Sequence, residues 1–131
     1  MHCVTLTDGM LIMKVLIVER DELVAEVLAK ALTENGISSA TVPDDKAAEA
    51  LCGPEAPHVV ITSINRQQED MAGLQMVRGL QRRRPMLRAI YLAALWPTRL
   101  HRYALGFHER FLPKPVSMAK FVRTVRELLP A

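Results

Sequence analysis

The chain predicts a three-layer α/β domain built on a parallel sheet, and three observations carry that expectation. Short apolar runs at Val15–Val18, Ile37–Val42, Val59–Thr62, Ala89–Leu92 and Phe111-Leu112 alternate with stretches of helical periodicity. The runs Val15–Val18 and Val59–Thr62 lack the apolar-polar alternation of a half-exposed strand, as expected of strands covered on both faces. The links between segments are short, and right-handed crossovers then place helices on both sides of one sheet.

Val15–Val18 gives the first strand and stops abruptly at Glu19-Arg20-Asp21-Glu22. Leu23, Val24, Val27, Leu28, Ala31 and Leu32 follow at helical spacing, with Asn35-Gly36 as the stop. The second strand, Ile37 to Val42, is weakened by Ser38 and Ser39. Pro43-Asp44-Asp45 opens a short helix carrying Ala47, Ala48, Ala50 and Leu51, and Gly53-Pro54 with Pro57 closes it. The β-branched run Val59–Thr62 is the expected central strand. It ends at Ser63-Ile64-Asn65, before the polar loop Arg66 to Gly73. Leu74, Val77 and Leu80, with Met76 and Gln81, form a helix that finishes at Arg82-Arg83-Arg84-Pro85, basic residues suiting a helix C-terminus and proline stopping it. Ala89–Leu92 is the fourth strand. A helix is expected from Pro97 to about Leu105, ended by Gly106. After the fifth strand at Phe111-Leu112 and the turn Pro113-Lys114-Pro115, Ser117 caps a last helix with Phe121, Val122, Val125, Leu128 and Leu129 on one face.

The 131 residues suffice for one domain with a core that needs no disulfide or metal. Residues 1–12 show neither period and read as an N-terminal extension, leaving 13–131 as the domain. That segment lacks a signal peptide's basic start and apolar core, and no apolar run approaches the ~20 residues that span a bilayer. Cys3 and Cys52 have no ligand spacing and fit ordinary thiols of a reducing compartment, so a cytoplasmic location without membrane contact is expected. The four histidines are scattered and suggest no metal site. A formal charge of +3 permits acidic partners, and aromatics at 5% do not favour nucleic acid. Arg78, Arg82, Arg83, Arg84, Arg99, Arg102, Arg110, Lys120, Arg123 and Arg126 fit a solvated basic face better.

With the strand ends in place, the sequence from Met13 to Ala131 resembles the receiver (CheY-like) domain of two-component response regulators. Four anchors in order carry the resemblance: Val-Leu-Ile-Val-Glu at the first strand, Val-Val-Ile-Thr-Ser-Ile-Asn at the third, Gly73-Leu74 opening the third helix, and Phe111-Leu112-Pro113-Lys114-Pro115-Val116 at the fifth. The resemblance implies a flavodoxin-like (βα)5 fold with strand order 2-1-3-4-5. It also implies a phosphoacceptor aspartate after the third strand, acidic residues holding magnesium after the first, a Thr or Ser after the fourth and a Lys after the fifth.

Placed position by position, the functional set is degenerate. Glu19 keeps the first acidic position and Lys114 keeps the lysine, but Arg20 falls at the metal-binding carboxylate, Ser63 at the phosphoacceptor and Ala93 at the Thr or Ser. A serine hydroxyl is a poor nucleophile without an adjacent base, and a guanidinium at a ligand position repels magnesium. No cofactor is therefore expected, and no catalysis. Arg20 reads either as a built-in cation in the metal's place, paired with Glu19, or as a solvent-facing residue of a site under no chemical demand. Lys114 reads either as a retained phosphate ligand or, the favoured reading, as a structural partner of Glu19. Asp21 and Glu22 lie one residue too late to replace the acidic pair, since one step turns a side chain to the other face. Phe111 stands at the family's switch position, and the resemblance implies a cis peptide before Pro115. The loop before Gly73 is about two residues longer than usual and lacks the family's Met-Pro.

The resulting expectation is an atypical receiver, a pseudo-receiver acting independently of phosphorylation through protein–protein contact. Its expected working face comprises Leu100, Arg102, Tyr103, Arg110, Lys120, Val122 and Arg123, fitting a histidine kinase, another signalling protein or a second copy in a homodimer. A response regulator with a non-standard acceptor and a small basic nucleic-acid-binding regulator are the alternatives.

Overall fold

The computed structural model describes residues 13–64, 71–94 and 105–130. The described elements are β1 (Val15–Val18), α1 (Glu22–Glu34), β2 (Ser39–Val42), α2 (Asp45–Leu51), β3 (Val59–Ser63), α3 (Ala72–Gln81), β4 (Arg88–Ala93), β5 (Glu109–Pro113) and α4 (Met118–Leu128). The five strands are all parallel and run β2-β1-β3-β4-β5 across the sheet. This is the flavodoxin-like order. The helix expected from Pro97, the extension 1–12 and the loop 65–70 lie outside the described residues.

Strand alternation divides the core in two. Leu16, Val18, Val60 and Tyr91 face α2 and α3 with Val77 and Leu80, while Val15, Ile17, Ile61 and Ile90 face α1 and α4 with Leu28, Leu32, Phe121 and Val125. Both faces of β1 are buried throughout, which explains its uniformly apolar sequence. β5 is longer than the Phe111-Leu112 pair, because Glu109, Arg110 and Pro113 also hold ladder positions beside β4.

Three helix starts use side-chain caps. Asp21 Oδ1 accepts from the N–H groups of Leu23 and Val24, Asp44 Oδ1 from that of Ala47, and Ser117 Oγ from that of Lys120. At the end of α1, Asn35 is the C-cap and Gly36 takes a positive φ of 75°.

The apolar face assigned to α1 needs correction. Ala25, Leu28, Ala31 and Leu32 are buried, whereas Leu23, Val24 and Val27 are exposed, Leu23 at 73%. Periodicity marks which residues are apolar, and the sheet with α4 covers only part of that arc.

Gly79 in α3 has no heavy atom within 4 Å of where a Cβ would stand. Gly79→Ala is therefore expected to stabilise the domain by about 0.5–1 kcal/mol through helix propensity alone. A higher urea midpoint at unchanged m-value checks this.

Candidate functional site

Parallel pairing brings the carboxyl ends of β1, β3, β4 and β5 to one edge. Val18 stands beside Thr62, Ser63 beside Leu92, and Ala93 beside Pro113. Backbone bonds continue past the strand ends: Glu19 N–H to Val42 O at 2.9 Å, Ile64 N–H to Leu92 O at 2.9 Å, and Lys114 N–H to Ala93 O at 2.8 Å. The backbone on which Glu19, Ser63, Ala93 and Lys114 sit is therefore held by ladder-like bonds.

At this edge Lys114 Nζ donates to Ser63 Oγ at 3.3 Å. The lysine does not pair with Glu19, correcting the reading of Lys114 as that residue's partner. Glu19 instead turns back on its own turn, its Oε2 accepting the Asp21 N–H at 2.9 Å. Asp21 in turn is committed to capping α1, so the carboxylate that the sequence leaves uncommitted is structural. Arg20 is exposed and has interaction partners of its own. Ala93, at the position where the resemblance implies a Thr or Ser, places a buried methyl at this edge. The Lys114–Pro115 bond is cis, as is Ala56–Pro57.

Phe111 is half-buried and packs against the core on the α2–α3 side. Of the expected working face, Leu100, Arg102 and Tyr103 lie outside the described residues. Lys120 and Arg123 are exposed on α4, and Arg110 Nε stands 3.8 Å from Glu127 Oε1. Val122 does not belong to a surface: it is 6% exposed and packs in the core beside Phe121 and Val125.

A charged network at the opposite, amino-terminal side of the sheet has no counterpart among the sequence expectations. Glu109 accepts two bonds from the Arg78 guanidinium, with Gln81 Nε2 at 3.0 Å and the Gly106 N–H at 2.7 Å. The Tyr91 hydroxyl lies 3.4 Å from the same carboxylate. Burial pushes the Glu109 carboxyl up, but bonds from Arg78, Gly106 and Gln81 and the Arg78 charge outweigh it and hold the group below its ordinary value. Burial and the adjacent carboxylate push the Tyr91 phenol well up. No local signal pairs Arg78 with Glu109, because they lie 31 residues apart and only the sheet register brings them together.

The sequence matches the family model for the response regulator receiver domain over residues 15–126. The chain belongs to the response regulator receiver domain family. Among solved structures, chemotaxis protein CheY4 of Vibrio cholerae is similar at 20% identity and a TM-score of 0.77, with 91% of this chain and 100% of that one covered. The non-phosphorylated HemR receiver domain of Leptospira biflexa is similar at 24% identity and a TM-score of 0.75, covering 91% and 95%. The receiver domain of the hybrid histidine kinase CckA is similar at 18% identity and a TM-score of 0.71, covering 89% and 99%. No curated protein matches the chain in sequence. This is a receiver domain of two-component signalling, and among its described residues no helix is long and apolar enough to cross a membrane.

Proposed function

We propose that this receiver domain signals by binding other signalling proteins and does not take up a phosphoryl group at its carboxyl edge. The observation that carries the reading is Ser63 at the end of β3 with the Lys114 ammonium on its hydroxyl. An ammonium donor withdraws electron density from the oxygen and supplies no base to activate it.

The donor set supports the same reading for magnesium, which takes octahedral oxygen coordination through one or more carboxylates. Glu19 is engaged with the Asp21 N–H, Asp21 caps α1, and Arg20 brings a guanidinium to the same turn. Among the described residues no group of three or more His, Cys, Asp or Glu is arranged to hold a metal. The residues at this edge do not fit the ion. A histidine kinase or another protein of the pathway is the partner class that suits a receiver surface.

Incubation with acetyl phosphate and magnesium, followed by intact-mass measurement, tests the proposal. The expected result is no mass gain in the parent chain, and none in Ser63→Asp alone, because Arg20 still opposes the metal. Ser63→Asp with Arg20→Asp is expected to restore an acid-labile adduct, which would locate the loss at these two positions. An adduct on the parent chain sinks the proposal.

A further inference from the structure

The basic residues look dispersed in the sequence, but the fold gathers one set of them. A row of backbone bonds crosses the amino-terminal edge of the sheet: Lys14 N–H to Ser38 O, His58 N–H to Lys14 O, Arg88 N–H to His58 O, and Ala89 N–H to His108 O. It brings the starts of β1, β3, β4 and β5 into register. With strands about 4.8 Å apart, the side chains from Lys14 to His108 span roughly 14 Å.

Three arginines on this edge are held in place without being neutralised. Arg83 donates to Glu49 O at 3.1 Å, Arg84 to Pro57 O, and Arg88 to Leu128 O at 2.6 Å. These acceptors are backbone carbonyls, two of them in the last turns of α2 and α4, where a helix end contributes roughly half a negative charge. Each guanidinium carries a full charge, and Lys14 and Arg82 add two more. Glu49 and Glu55, exposed acids from the neighbouring segments, form no ion pair with any of them. The edge is therefore net positive, with several of its cations already ordered. The His58 imidazole reports the field: burial first, then the charges of Arg84, Arg88 and Lys14, push it below its ordinary value.

Beside the cations, the same edge carries an exposed aromatic. Phe107 is 87% exposed, and its ring meets that of His108 edge-on at 4.9 Å. Met86 is exposed next to it, on the rim of a 300 Å³ depression that both residues line. Nothing in the fold of the described residues requires a phenylalanine in solvent. Ordered cations with an adjacent free aromatic face are what a single strand of nucleic acid needs, since phosphates take the charges and an unpaired base stacks on the ring.

We infer that the amino-terminal edge formed by Lys14, Arg83, Arg84, Arg88 and Phe107 binds single-stranded nucleic acid. Composition argues the other way only because the 5% aromatic content is an average over the whole chain, whereas recognition depends on where one ring stands. An acidic polypeptide or an anionic membrane would use the cations but would have no stacking use for Phe107. The site lies at the opposite end of the sheet from Ser63 and Lys114, so it is independent of the reading above.

Fluorescence anisotropy of the full chain with labelled mixed-sequence oligonucleotides of about 12 nucleotides, DNA and RNA in separate titrations, tests the inference. The expected result is saturable, salt-sensitive binding that is tighter for single strand than for duplex. Phe107→Ala is expected to weaken it roughly 5- to 100-fold, the usual loss per stacked base. Lys14→Gln should reduce the salt slope by about 0.7. Both side chains are exposed, and a urea midpoint confirms that each variant folds. Absence of binding at low salt, equal affinity for duplex, or an unchanged affinity in Phe107→Ala overturns the inference. So does polyglutamate competing equally charge for charge, which would assign the edge to an acidic polypeptide, or preferential capture by phosphatidylserine vesicles.

Discussion

Glu109→Ala is expected to destabilise the domain by about 2–4 kcal/mol, because buried donors left without their acceptor cost about 1–3 kcal/mol each. The Glu109 side chain is only 4% exposed and gathers Arg78, Gln81, the Gly106 N–H and the Tyr91 hydroxyl on its two oxygens. Its loss leaves these donors facing a void. After Glu109→Ala the Arg78 guanidinium, at 38% side-chain exposure, can turn partly to water, whereas Arg78→Met strands the buried Glu109 carboxylate without its counter-charge and is expected to cost at least as much. Replacing the pair together, Arg78→Met with Glu109→Leu, should recover part of the loss, because no uncompensated charge then remains buried. Urea midpoints of the four proteins check the ordering. A Glu109→Ala midpoint within error of the parent would show that the network contributes nothing.

The same carboxylate fixes the direction of a pH effect. Its pKa is lowered in the folded chain, so the folded state binds fewer protons than the unfolded state through the interval between the two values. The contribution is complete above the unfolded carboxyl value of about 4.3 and is lost as pH falls through the lower folded value. Stability of the parent chain should therefore fall on acidification over that window, and the Glu109→Ala profile should be flatter there. Equal slopes in the two proteins would contradict the assignment.

How much was legible in the sequence follows from the range of each interaction. The strands of the sheet and the identity of the carboxyl-edge residues rest on local patterns, an apolar run ending at Glu19 and a β-branched run ending at Ser63, and on anchors whose order fixes the sheet. The capping role of Asp21 is nearly local, yet in the run Glu19-Arg20-Asp21-Glu22 nothing distinguishes a cap from a ligand until the start of α1 is placed. The exposure of Leu23 and Val27 and the burial of Val122 depend on how far α4 and the sheet extend over α1, a tertiary quantity with no period of its own. The Arg78–Glu109 pair and the row from Lys14 to His108 join residues from separate strands and helices. Both are products of register, and single-residue chemistry does not anticipate them.

Gly73→Ala is the second change with a large expected effect, and it acts on the site itself. A Cβ at Gly73 would lie 1.8 Å from Ser63 O, 2.9 Å from Ser63 C and 3.1 Å from Ile64 Cα. All three are backbone atoms of the end of β3, so no side-chain rotation relieves the contact. The Gly73 N–H also donates to Ile64 O at 2.8 Å, which seats the first turn of α3 directly on the strand end. Accommodating a methyl requires α3 to move away or Ser63 to shift, either of which breaks that seat. The cost is expected at the upper end of overpacking, about 3 kcal/mol or more. Because Ser63 carries the hydroxyl that meets Lys114, the displacement should also change the Ser63 and Lys114 amide signals in a proton–nitrogen correlation spectrum, well beyond their changes in Gly79→Ala. The two substitutions insert the same methyl into the same helix and are expected to change stability in opposite directions. The difference is set by the atoms each methyl meets: strand backbone at Gly73, open space at Gly79. A mildly stabilised Gly73→Ala would mean that α3 does not sit on the end of β3.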